Sequence, residues 1–226
     1  MRQAILFILV VLTFSWSGAA IAACEAISSE MNPDRLVTVE EDGKRLCLAG
    51  QIDEAMYEAV RSIDLAHVSE VVVNSMGGEV HAAVKIGRLI HERGMSLIVR
   101  GLCASSCGNY LFMASPRPSF EKDATLAFHG APSDRLYEDL GCAVGGTSTC
   151  NEMLAANILR DITDSNTFLN LIAAHYGRKL AIIRHPPARY GVTKDWKTNM
   201  WVPNQAEMDD AMGYHLPVPW EKKGTR

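Results

Sequence analysis

Three short apolar runs between residues 71 and 130, each closed by small or turn-forming residues, constrain the fold of this chain more than any other stretch. Val71, Val72 and Val73 read as a buried β-branched strand, and Asn74, Ser75, Met76, Gly77 and Gly78 as the turn out of it. Val80, Ala83, Val84, Gly87 and Ile90 recur on one face, which predicts a helix over 79–93 stopped by Gly94. A second strand is expected over 96–99 and a turn over 101–107. An apolar helix follows over 110–113 until Pro116, then a proline-containing turn over 116–123. A third strand over 125–129 ends on His129. Strand, helix, strand, helix, strand is the pattern of an α/β domain.

The residues at the breaks carry the chemistry. A glycine pair leaves backbone N–H groups unshielded, able to reach a developing oxyanion. A serine at the mouth of a helix sits where the dipole and the next N–H favour negative charge. A histidine closing the next strand supplies a base for that serine. Taken singly, each feature has a plainer reading: a tight turn, an N-cap, a packed strand residue. Their combination and order make Gly77, Gly78, Ser105, Ser106 and His129 candidates for one acyl-transfer site.

The order S-x-G-G, then a small-residue loop with serine opening a helix, then histidine at a strand end, resembles the Clp-type serine peptidases. It is also similar to periplasmic Clp-like proteins with a C-A-S-x-C loop. The resemblance spans roughly residues 48–214. It implies a Clp/crotonase-type α/β fold of stacked β-β-α units, a Ser-His-Asp triad and a peptide or protein substrate. Two serines compete for the nucleophile. Ser106, followed by Cys107, Gly108 and the run 110–114, fits the family frame and is preferred, whereas anchoring on the C-A-S-x-C loop makes Ser105 the match. With Ser106, the resemblance implies Gly77 and Cys107 as oxyanion donors, with Gly78 completing the glycine pair. The third member would be Asp195, six positions before Trp201, where an aromatic residue precedes an acidic, alanine-containing helix ending at Gly213. Asp161 and Asp164 are weaker candidates inside a helical pattern.

Residues 1–23 read as a signal peptide: Arg2, an apolar stretch over 4–16 that is short for a membrane span, and an A-x-A pattern at 20–22. The mature domain would run from 24 to 215, followed by a tail over 216–226 expected to be poorly ordered. A periplasmic or secreted location follows. The alternative is a lipoprotein anchored through Cys24, since Ile21-Ala22-Ala23-Cys24 resembles the lipoprotein cleavage box. The chain carries a formal net charge of −4 with no basic patch or aromatic interleaving, which argues against nucleic acid as a partner. An exported chain has no ATP supply, so no ATPase partner is expected, and homo-oligomerisation stays open.

Six cysteines, Cys24, Cys47, Cys103, Cys107, Cys142 and Cys150, suggest disulfides in an oxidising compartment. Proximity in sequence suggests Cys24 with Cys47, Cys103 with Cys107, and Cys142 with Cys150, the middle pair clamping the loop that holds both serines. Cys103-x3-Cys107 is not the usual zinc spacing, and no metal or organic cofactor is implied.

Leu36 to Val39 and Arg45 to Ala49 flank an acidic turn and read as a hairpin, followed by a helix over 53–63 capped by Asp53. Residues 131–150 read as an irregular insertion after His129, a lid or a stapled surface excursion. A long helix is expected over 151–176, with a break near 164–166. Three other functions share these features: a non-catalytic binding protein on the same fold, an esterase or small-acyl hydrolase using the same triad, and a crotonase-like acyl-CoA enzyme. The last needs no Ser-His pair.

Overall fold

The computed structural model describes residues 23–27, 35–132, 152–180, 183 and 200–220. They form a mixed α/β domain around a six-stranded sheet. The strands are β1 (Leu36–Val39), β2 (Arg45–Ala49), β3 (Glu70–Ser75), β4 (Ser96–Ala104), β5 (Pro118–Phe120) and β6 (Thr125–Ala127). The helices are α1 (Glu54–Arg61), α2 (Val80–Glu92), a π-helix (Cys107–Phe112), α3 (Glu152–Tyr176) and α4 (Gln205–Met212). The order across the sheet is β1-β2-β3-β4-β5, with β6 also on β4. β1 and β2 are an antiparallel hairpin, and every later pairing is parallel, as crossover helices require.

Alternation along the strands divides the two faces. Leu46, Leu48, Val71, Val73, Leu97 and Val99 face the main core with the helices. Cys47, Ala49 and Val72 face the other side, where Cys24 and Ile27 cover them. The hairpin matches the sequence expectation residue for residue. Its turn closes through Gly43 N–H donating to Glu40 O at 2.9 Å.

Helix α1 begins where Asp53 accepts the Met56 N–H at 2.8 Å. The same carboxylate also pairs with Arg35. Asp53→Ala should therefore lower stability by about 1 kcal/mol, while Asp53→Asn, which keeps a capping oxygen, should lose less. Urea unfolding of the two variants tests this, and equal midpoints for Asp53→Ala and wild type would show that the cap contributes nothing.

Several expectations change. β4 does not end at Val99 but continues to Ala104, because its second half finds a fresh partner in β6 (Leu102 with Thr125, Ala104 with Ala127). The turn expected over 101–107 shrinks to Ser105 and Ser106. The stretch read as a turn over 116–123 contains β5, paired with Leu97 to Val99. Helix α3 runs unbroken past 164–166. Residues 216–220 are packed and not a loose tail: Leu216 and Val218 are buried, and Trp220 donates its indole N–H to Pro203 O at 2.7 Å and meets Phe120 edge-on. An aromatic with a satisfied donor on an apolar neighbour outweighs the two prolines beside it.

Residues 1–22 of the stretch 1–23 read as a signal peptide, most of the expected insertion 131–150 (with Cys142 and Cys150) and Asp195 lie outside the described residues. Among the described residues, no helix is long and apolar enough to cross a membrane.

Candidate active site

The site is assembled at the carboxyl ends of β3, β4 and β6, where parallel strands deliver their following turns to one edge. β3 supplies Ser75 and the Gly77-Gly78 turn, β4 supplies Ser105 and Ser106, and β6 supplies His129.

Ser105 leaves β4 with φ 55°, the one positive φ at a non-glycine position among the described residues. Such a conformation costs an ordinary L-residue about 1–3 kcal/mol and persists only where surroundings enforce it. Three contacts do so here. Ser105 N–H donates to Ala127 O at 3.0 Å, and Asn109 N–H donates back to Ser105 O at 2.9 Å. A Cβ on Gly77 would fall 2.6 Å from Ala104 O and 2.7 Å from Ser106 N, so the glycine turn lies directly against the serine turn.

The left-handed residue sends the two adjacent side chains different ways. Ser105 Oγ lies 2.5 Å from His129 Nε2. Ser106 is 4% exposed and donates its hydroxyl to Gly78 O at 2.8 Å. The expectation preferring Ser106 is therefore not met by the geometry. Its hydroxyl is turned inward onto the glycine turn, and Ser105 is the serine beside the histidine.

The glycine turn holds a second departure. Gly77 N–H donates to Ser75 Oγ at 3.0 Å, and Ser75 Oγ–H donates to Gly50 O at 2.6 Å. Gly77 thus spends its donor internally and is not the free N–H expected of it. Gly78 is stitched to the segment before α1 through Ile52, whose N–H donates to Gly77 O at 3.0 Å and whose carbonyl accepts from Glu79 N–H at 2.8 Å. With Ser105 at the histidine, the N–H following it is that of Ser106, not that of Cys107. Both N–H groups belong to the first turn of a helix, where no intrahelical acceptor exists.

His129 is exposed, and its strand is fixed from two sides. Phe128 exchanges both backbone hydrogen bonds with Trp201, at 2.8 and 2.6 Å. Asn109 Nδ2 donates to Gly130 O at 3.0 Å, tying the histidine loop to the serine helix. Sequence reading missed Asn109 and Ser75 as positioning residues. The signal for Asn109 was a polar side chain one helical turn after Ser105 in an otherwise apolar run, and for Ser75 its place two residues before the glycine whose N–H it accepts.

The π-helix is buried at every position from Cys107 to Phe112. Such segments insert one extra residue per turn and recur at functional sites. Tyr110 inside it donates to Ser165 Oγ at 2.8 Å, and burial pushes its hydroxyl up to about 12, so it is a neutral donor. The alternative acids are engaged elsewhere. Asp164 accepts from His81 Nδ1 at 2.6 Å, and Asp161 accepts from Arg160 Nη2 at 3.3 Å, while burial raises its carboxyl from the ordinary value.

Two disulfides are present, Cys24–Cys47 and Cys103–Cys107. They match the first two expected pairs. Among the described residues one close group of metal-type side chains occurs, Cys24, Glu40 and Cys47, and its two sulfurs are joined to each other, leaving no thiolate to bind an ion.

No protein-family model matches the chain, and no curated protein matches it. Among solved structures it is similar to ClpP1 from Listeria monocytogenes and to a single-substitution mutant of that protein. Each is 17% identical, with a TM-score of 0.49, over 76% of this chain and 88% of the other.

Proposed function

We propose that this chain is an exported serine hydrolase of the Clp type that cleaves peptide bonds without an ATPase partner. Ser105 is the nucleophile and His129 the general base. The single observation that carries the reading is the contact of Ser105 Oγ with His129 Nε2 at 2.5 Å, made by a serine held in left-handed backbone. Nε2 takes the hydroxyl proton as Oγ attacks the scissile carbonyl, and it returns that proton to the departing amine. The acyl group stays on Ser105 until water, deprotonated by the same nitrogen, releases it.

The N–H groups of Ser106 and Gly78 are the oxyanion donors in this reading. Ser106 N–H directly follows the nucleophile, and Gly78 belongs to the turn on which it packs. Asp195 is the acid that orients His129. Its support is the Phe128–Trp201 bridge, which draws the chain six residues after Asp195 alongside the histidine strand. Export is supported by the apolar segment and A-x-A pattern at the N-terminus and by the two disulfides. The Cys24 sulfur is already bonded to Cys47, and a lipid thioether would need that same sulfur, which favours the cleaved, unanchored form. Self-association through the exposed Met153, Leu154 and Leu159 of α3 belongs to the same reading.

Fluorophosphonate labelling of the oxidised protein tests it. A single phosphonylated residue mapping to Ser105, and no label in His129→Ala, is the expected result. A folded wild-type protein that takes no label would instead point to a binding protein on this scaffold. Peptide and short-ester substrates, run side by side, separate a peptidase from an esterase.

A further inference from the structure

We infer that the Cys103–Cys107 disulfide positions the nucleophile, so that the chain becomes a competent hydrolase only once this bond has formed. The inference rests on the proposed role of Ser105 and adds to it a requirement for oxidation.

The bond joins the penultimate residue of β4 to the first residue of the π-helix, and the ring it closes contains Ala104, Ser105 and Ser106. That ring holds the left-handed Ser105, the N–H of Ser106 and the inward hydroxyl of Ser106. Cys103 also lies where β4 loses regular register with β3, opposite Ser75 and hence beside the glycine turn. Every element of the site on the β3–β4 side therefore converges on this ring. The two backbone hydrogen bonds and the packing of Gly77 define the left-handed turn, and the ring limits its relaxation toward the right-handed conformation preferred by serine, which would swing Oγ away from Nε2.

The bond is poorly placed to serve as a general staple. A disulfide restricts the unfolded chain more as its loop lengthens, and the sequence separation here is 4, against 23 for Cys24–Cys47. Its stabilising effect should be the smaller of the two and its effect on the site the larger. Both sulfurs belong to fully buried residues, so the bond is set as the chain folds and is not toggled afterwards. Its formation is ordinary thiol–disulfide exchange. Two thiols lose two protons and two electrons to a disulfide oxidant, which is reduced to its dithiol. A chain made in a reducing compartment would lack the bond, and the hydrolase would stay silent there.

The experiment compares Cys103→Ala/Cys107→Ala with Cys24→Ala/Cys47→Ala, both folded under oxidising conditions. The readouts are the rate of fluorophosphonate labelling, thermal unfolding, and amide hydrogen exchange over 104–109. The expected result is a crossed pattern. The first variant loses about 100-fold in labelling rate, as a misplaced reacting group does, with the smaller fall in Tm. The second labels within about threefold of wild type with the larger fall. Wild-type protein refolded with dithiothreitol should be as slow as the first variant, and unfolding it and refolding it with oxidised glutathione should restore it alone. A folded Cys103→Ala/Cys107→Ala protein that labels at the wild-type rate overturns the inference. If oxidised wild type takes no label, the hydrolase reading has failed, and hydrogen exchange judges the clamp independently. Faster exchange confined to 104–109 supports the clamp, and unchanged exchange defeats it.

Discussion

Ser105→Ala is expected to lower turnover of any substrate this chain hydrolyses by about 10⁶-fold, the scale seen when a triad nucleophile is removed, whereas Ser106→Ala should keep its rate within about tenfold. The contrast follows from how the two hydroxyls are used. Ser105 Oγ has His129 Nε2 as its partner, while Ser106 Oγ is spent on Gly78 O inside the turn. The group Ser106 would lend to catalysis is its backbone N–H, which alanine retains. Losing the hydroxyl removes one donor from the carbonyl of Gly78, an exposed residue, a stability cost of about 0.5–1.5 kcal/mol. Initial rates and urea midpoints for both variants decide the matter. Equal rate losses in the two would mean that the serine turn reverses on substrate binding and that the assignment of the nucleophile is wrong.

Gly78→Ala should be the most damaging glycine-to-alanine substitution among the described residues. Its φ of 152° disfavours an L side chain, and the new Cβ would fall 2.0 Å from Ile52 O, an overlap with backbone that no rotamer relieves. Ile52 cannot retreat freely, because its N–H and C=O are bonded to Gly77 O and Glu79 N–H on either side of the same glycine. Breaking that bridge and forcing the backbone apart should cost about 3–5 kcal/mol and remove labelling at Ser105 along with it. Gly43→Ala is the matched control. It also has positive φ, 71°, but nothing lies within 4 Å of the added atom, so the loss should stay near 1–2 kcal/mol. Urea unfolding of the pair measures the difference. A Gly78→Ala protein within 1 kcal/mol of wild type would show that Ile52 moves aside easily and that the turn is not the rigid floor of the site.

The contrast between the two serines shows where sequence reading stops. An alternating run and a helical stripe are local patterns, so the hairpin of β1 and β2, helix α2 and the approach of β6 to His129 were all legible from periodicity and turn chemistry. The association of a glycine turn, a serine turn and a histidine was legible as an order along the chain. So were two cysteine pairs, because neighbours 4 and 23 residues apart in sequence proved to be neighbours in space. The direction of a side chain within a tight turn is another matter. Adjacent serines are chemically identical, and the one that faces the base is chosen by a single backbone torsion. That torsion is enforced by Ala127 O from β6, by the packing of Gly77 and by a sulfur bridge.

The same limit explains the other departures. Nothing local says that Gly77 N–H will be claimed by Ser75, because that depends on Ser75 Oγ being anchored to Gly50 O, 25 residues away. The extension of β4 to Ala104 depends on β6 arriving beside it, and the order of residues 216–220 depends on Phe120 and Pro203 being there to receive Trp220. The sequence by itself determined which residues can do acyl-transfer chemistry and which short elements present them, since both are matters of residue type and period. Only the tertiary structure decided which hydroxyl meets the imidazole and which N–H groups stay free. Those outcomes are set by long-range hydrogen bonds and close backbone contacts, which leave no periodic mark in the chain.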